Sequence, residues 1–152
     1  MLNQYFRDSL QAFFILLFGG AIYVLFRSDE IYFIDWLLSQ KTGPFLTEAR
    51  SITLKFSSSL PHWFMFSLPD ALCMLSLSLS MLNFWKNESY RSLMIWSILI
   101  PFIALLWEFA QYFNFLKGTF DWVDIYCYLI ATALIFLKLK TIIYEKTITK
   151  IN

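Results

Sequence analysis

Charge is the scarcest property of this chain. Only 15% of its 152 residues are Asp, Glu, Lys or Arg, where soluble domains carry about 25%. The net charge is +1, so no basic field is available to attract nucleic acid. Cysteine is limited to Cys73 and Cys127. Both lie in apolar runs, without Cys-x-x-Cys spacing or a nearby histidine. That excludes a zinc site built on them and leaves buried structural thiols as the expectation. There is no His-Glu-x-x-His, no Gly-x-Ser-x-Gly and no phosphate-binding glycine loop. A cleavable leader is not expected either. Leu10–Phe26 has the apolar core of one, but Phe26-Arg27-Ser28 lacks the small residues of a cleavage site, so the segment reads as a retained span.

What the chain has in abundance is apolar: 59% of residues are hydrophobic and 20% aromatic. Four segments reach spanning length, about 17–25 residues: roughly Leu10–Phe26, Leu60–Leu82, Leu93–Phe113 and Trp122–Ile143. Lys138 and Lys140 interrupt the last and are expected to snorkel to the headgroups. Tyr5, Trp63, Trp85, Tyr112 and Trp122 sit near the ends of these runs, as in an aromatic belt. Leu and Ser alternate over Leu75–Leu82. An open strand there would leave its backbone unsatisfied in lipid, so the stretch reads as helix, its hydroxyls bonded to the preceding turn or to a neighbouring helix. Pro69 and Pro101 fall inside spans two and three and are expected to kink them. Gly19-Gly20 allows close helix contact or a bend.

The segment from Arg27 to Ser59 is too long for a turn. Ile31–Leu38 within it is too short to span and reads as an interfacial helix or a re-entrant piece. Thr42-Gly43-Pro44 marks a turn. The expected fold is therefore all-α: one multi-pass transmembrane domain over residues 1–152, a four-helix bundle with an interfacial or re-entrant connector after the first span. Four spans place Arg7, Lys86, Arg91, Lys138, Lys140, Lys146 and Lys150 on one side, seven basic residues. Arg27, Lys41, Arg50, Lys55 and Lys117 make five on the other. The bias puts both termini in the cytoplasm.

Against this background Glu108 stands out. An ionisable group at the centre of a span costs about 2.5–3.5 kcal/mol on insertion scales, so it marks a candidate site by default. Gln111 lies one turn further along the same face. A short loop then leads to Asp121 and Asp124. In the expected topology these residues and His62 gather near the outer leaflet, with Asp70 deeper on span two. Glu108 is the candidate central acceptor, Gln111 its orienter, and Asp124 and His62 co-ligands, with Asp121 and Asp70 completing the ligand-binding set. Each has a plainer reading. Glu108 can pair with Gln111 to fix helix packing. Asp121 and Asp124 suit the capping of a helix start. His62 can be a solvated belt residue, and Asp70 can bond the backbone group freed at Pro69. Carboxylates and an imidazole together suit a divalent cation, or equally a cationic or hydroxyl-rich headgroup. A carboxyl withdrawn from water also suits general acid or base work.

Three stretches, His62-Trp63-Phe64, Glu108-Phe109-Ala110-Gln111 and Gly118-Thr119-Phe120-Asp121-Trp122-Val123-Asp124, resemble in order the motifs of the VanZ-like membrane family, named for a protein associated with teicoplanin resistance. The resemblance covers roughly Pro61 to Ala133. Tyr128 stands where that family usually has Asn, and Ala131 where it usually has Gly. The resemblance implies a small bacterial protein of the cytoplasmic membrane, in contact with the cell envelope or a glycopeptide response. The expected function is non-catalytic binding of a lipid-linked or envelope component. The alternatives are a metal-assisted lipid-headgroup enzyme, a transporter or channel subunit, and a membrane sensor. Membrane lipid is the expected partner. A second copy or another protein at the Lys-rich tail, Lys138 to Lys150, stays open. No cofactor is expected, although a divalent cation fits the carboxylates.

Overall fold

Apolar length sets the architecture. The computed structural model describes residues 2–28 and 31–151, with side chains placed for 5–28 and 31–148. Among these the regular structure is all helix: α1 (Leu2–Phe26), α2 (Tyr32–Leu38), α3 (Gly43–Phe56), α4 (His62–Met65), α5 (Ser67–Trp85), α6 (Tyr90–Tyr112) and α7 (Trp122–Ile151), with one 3-10 turn, Ser57–Ser59, after α3. Four stretches are long and apolar enough to cross a membrane: Tyr5–Phe26, Ser67–Trp85, Tyr90–Tyr112 and Trp122–Ile148. Their outer faces carry large exposed apolar side chains, such as Phe14 and Phe18 on α1, Phe102 and Trp107 on α6, and Ile130 and Leu137 on α7. Exposure on this scale suits lipid and not water. The protein is a multi-pass, four-helix membrane bundle.

Helix α5 is the centre of the bundle. It packs against α1, α6 and α7, and α6 also packs against α7. Buried positions on α7 fall at Tyr128, Ala131, Ile135, Leu139 and Ile142, a three-and-four spacing that lines one helical face. They meet Ala71, Met74, Leu75 and Leu82 of α5 and Leu93 of α6. Lipid tails are as apolar as leucine, so helix pairing in a bilayer leans on close packing and hydrogen bonds. The serines of the Leu/Ser stretch supply some of these. Ser76 Oγ donates across to Ala12 O at 2.7 Å, while Ser78 and Ser80 bond back to Met74 O and Ser76 O. Asn83 Nδ2 donates to Ser9 Oγ at 2.6 Å and to Tyr5 O at 3.3 Å. These pairs fix α1 antiparallel to α5. One end of the bundle then collects the end of α1, the start of α5, the end of α6 and the start of α7.

Several boundaries differ from the sequence reading. Span two begins at Ser67 and not at Leu60, because Phe66 (φ −116°, ψ −48°) separates α4 from α5. A continuous helix would drive the Pro69 ring into the carbonyl four residues earlier. Pro69 therefore opens α5 within its first turn, where a missing donor costs nothing, instead of kinking it. Pro101 stays inside α6 and is buried. The last helix, drawn to Ile143 from the sequence, runs on to Ile151. Cys73 is exposed and Cys127 only partly covered, contrary to the buried thiols expected. An apolar run in a membrane protein has an apolar outer face as well, so the run does not reveal which face a thiol occupies.

The connector is a pair of helices. α2 occupies the short apolar stretch, and α3, unforeseen from the sequence, starts at the Gly43-Pro44 turn. A Cβ on Gly43 would lie 1.8 Å from Leu38 O, so only glycine permits this return of the chain. α3 packs on both α2 and α1.

Gly19 and Gly20 have opposite surroundings. A Cβ on Gly19 would sit 3.0 Å from Leu72 Cβ and 3.2 Å from Pro69 O, whereas one on Gly20 meets nothing within 4 Å. Gly19→Val should destabilise the bundle by about 1–3 kcal/mol through overpacking of α1 on α5. Gly20→Ala should stabilise it by up to about 1 kcal/mol through helix propensity. Equal effects in SDS-titration unfolding of the two variants would refute this asymmetry.

Candidate functional site

The end of α6 turns back sharply. Asn114 adopts a left-handed backbone (φ 58°), a conformation that asparagine tolerates better than most residues. Phe115 and Leu116 N–H groups donate to Ala110 O at 2.8 and 3.2 Å. This closes the α6 C-terminus with groups that would otherwise be orphaned. The following loop is clasped by Gln111. In the amide orientation that satisfies both of its groups, its nitrogen donates to Thr119 O at 3.2 Å and its oxygen accepts from Trp107 Nε1 at 3.0 Å. Asp121 then caps α7, its Oδ1 accepting from Val123 N at 2.9 Å. Asp124 follows in the first turn of α7.

This return path brings the acids of separate helices together. Glu108 on α6 is 4% exposed. Asp124, Asp70 and Asp121 all act on it electrostatically, and the Asp121 backbone N–H approaches its carboxyl. Asp70, in the first turn of α5, also feels Asp124. Tyr128, one turn beyond Asp124, lies in the field of Asp70, Glu108 and Asp124. The cluster thus spans α5, α6 and α7 at one end of the bundle. Within it, Glu108 Oε2 is buried without a hydrogen-bond partner. Buried polar atoms of native proteins are seldom left so, and each exception asks for a ligand, a water or a functional reason.

His62 stands apart. It is exposed at the start of α4 and its ring stacks on Phe66 at 4.3 Å between centroids. The Arg27 guanidinium lies 5.4 Å from the same Phe66 ring and 5.3 Å from Tyr23, and acts on Asp70. Among the described residues no group of three His, Cys, Asp or Glu side chains is placed to hold a metal ion. What the geometry offers is a set of acceptors suited to ammonium or hydroxyl donors.

No family model, curated protein or solved structure matches the chain.

Three charged groups that matter were not singled out by the sequence reading. Arg27 immediately follows span one, a position that signals only a flanking charge. Arg50 is 4% exposed; its Nη1 donates to Val24 O and its Nη2 to Arg27 O, the latter at 2.7 Å. At the opposite end of the bundle Asp8, 9% exposed, accepts from Lys138 Nζ at 2.8 Å and faces Lys86 Nζ at 3.6 Å. Lys138 therefore points inward to an acid rather than to the headgroups. Lys146 Nζ donates to Glu88 O, so this part of the tail also engages its own bundle. The Lys150 side chain lies outside the described residues.

Proposed function

We propose that the Glu108 end of the bundle binds the headgroup of a lipid-linked or envelope component without catalysis, and that the chain is a VanZ-like protein of the bacterial cytoplasmic membrane. The observation that carries this reading is the buried, unpartnered Glu108 Oε2. Asp124 and Asp70 surround it with further negative charge, so a ligand bearing ammonium or hydroxyl donors is the complement. Gln111 and Asp121 contribute indirectly, by fixing the loop and helix that bring Asp124 to Glu108. The excess of Lys and Arg on the side of the termini supports an arrangement with both termini in the cytoplasm and the Glu108 site facing outward. Impermeant maleimide should then label a Lys117→Cys variant from outside intact cells, and labelling only after lysis would reverse the orientation.

The binding test uses a glucosyl-diacylglycerol in phosphatidylcholine nanodiscs as probe. Glu108→Gln should weaken its retention about tenfold, since charged acceptors bond roughly twice as strongly as neutral ones. The same variant should unfold about 1 kcal/mol less readily, because a charge-bearing group held without full compensation is removed. A purely packing role for Glu108 predicts the reverse for stability and no change in retention.

A further inference from the structure

A second site opens between α1, the connector and the start of α5. A side-open cavity of about 810 Å³ is enclosed by Leu17, Gly20 and Val24 of α1, Phe33 and Phe45 of the connector, and Asp70 of α5, among others. That volume falls within the about 300–1,000 Å³ of ligand pockets. Its walls are apolar, yet in a bilayer an acyl chain gains little by exchanging lipid neighbours for leucine. The walls can accommodate a chain but cannot choose which lipid brings it. The choice falls to the polar groups. Asp70 is the one charged side chain among the described residues lining the cavity. Arg27 lies over the ring of Tyr23, another lining residue, and within electrostatic range of Asp70. One anion and one cation thus stand together beside a slot that can take an acyl chain.

We propose that this cavity binds one membrane phospholipid with a primary-amine headgroup, its acyl chain against Leu17, Gly20 and Phe45, its phosphate at Arg27 and its ammonium at Asp70. A guanidinium matches phosphate oxygens in a planar fork. A primary ammonium donates hydrogen bonds to a carboxylate, which a trimethylammonium cannot do, and a glycerol headgroup brings no positive charge. The order of preference is therefore phosphatidylethanolamine over phosphatidylcholine and phosphatidylglycerol. Asp70 faces both sites, but the Gly20 and Arg27 positions take no part in the Glu108 site, so Gly20→Leu lets either reading fail without the other.

The full chain in nanodiscs holding equal amounts of these three lipids, with identical acyl chains, supplies the test. Native mass spectrometry reads the lipid that stays bound. The wild type should retain one phosphatidylethanolamine, with about tenfold preference over the others. Asp70→Asn should bring the three within about twofold. Gly20→Leu places a side chain in the open space of the cavity and improves helix propensity. It should lose the retained lipid with unchanged circular dichroism. Equal retention by the wild type, preference for phosphatidylglycerol, a lipid-free dimer, or an undiminished phosphatidylethanolamine adduct in Gly20→Leu would each overturn the proposal.

Discussion

Asp8→Leu is expected to destabilise the bundle by roughly 3–5 kcal/mol, measured by SDS titration in mixed micelles. The carboxyl is 9% exposed and answers two ammonium groups, Lys138 at 2.8 Å and Lys86 at 3.6 Å. Removing it leaves two like charges without their shared acid, Lys86 at 13% and Lys138 at 32% exposure. Lys86 is further confined by the Tyr5 ring, whose centroid lies 3.1 Å from Nζ, a placement that favours a cation. The loss should reside in the uncompensated charge and not in the missing attraction. Asp8→Leu combined with Lys138→Leu should therefore recover part of the stability, since an apolar pair can replace a buried ion pair at little net cost while Lys86 is still left without its acid. Lys138→Leu alone should cost less than Asp8→Leu, because Lys86 still answers the carboxylate. If the double variant is as unstable as the sum of the singles, the two groups act independently and the ion-pair account is wrong.

What the sequence disclosed follows from what lipid demands. A span must be long, apolar and hydrogen-bonded within itself, so four helices could be read from length and hydropathy alone, the Leu/Ser stretch included. Glu108 was visible for the same reason: an acid inside such a run has no cheap alternative. The capping geometry of Asp121 was also legible, because Asp-x-x-Asp at a helix start carries its own local chemistry. Tertiary partnership was not. Asp8 precedes the apolar run that begins at Leu10, and nothing beside it in the chain singles it out. Lys138 looked like a snorkelling lysine because its acid lies 130 residues away. The indole and loop carbonyl that occupy the Gln111 amide cannot be inferred from a three-residue spacing to Glu108. α3 escaped notice because a short helix with charges reads like a solvated loop until its partner is known.

That connector gives the other large effect. Arg50→Met should destabilise the protein by roughly 2–4 kcal/mol, the cost of leaving buried acceptors unpaired where a charged donor had served them. The last carbonyls of α1 have no intrahelical donor of their own. Arg50 supplies donors to Val24 O and Arg27 O, and Thr53 Oγ1 reaches Leu25 O at 3.4 Å. The guanidinium also sits at the negative end of the α1 dipole. Arg50→Lys should restore only part of the loss, since a single ammonium cannot reproduce two bonds held by a planar fork. Hydrogen exchange locates the effect. In Arg50→Met, amides of α3 and of the last turn of α1 should lose protection together, while those of α5 and α7 around Ile135 keep theirs. Loosening α3 also withdraws Phe45 from the cavity wall, so the same variant should retain less lipid than the wild type with no change at Asp70. Unaltered exchange in α3 would mean that its apolar face, and not the Arg50 clasp, holds the connector against α1.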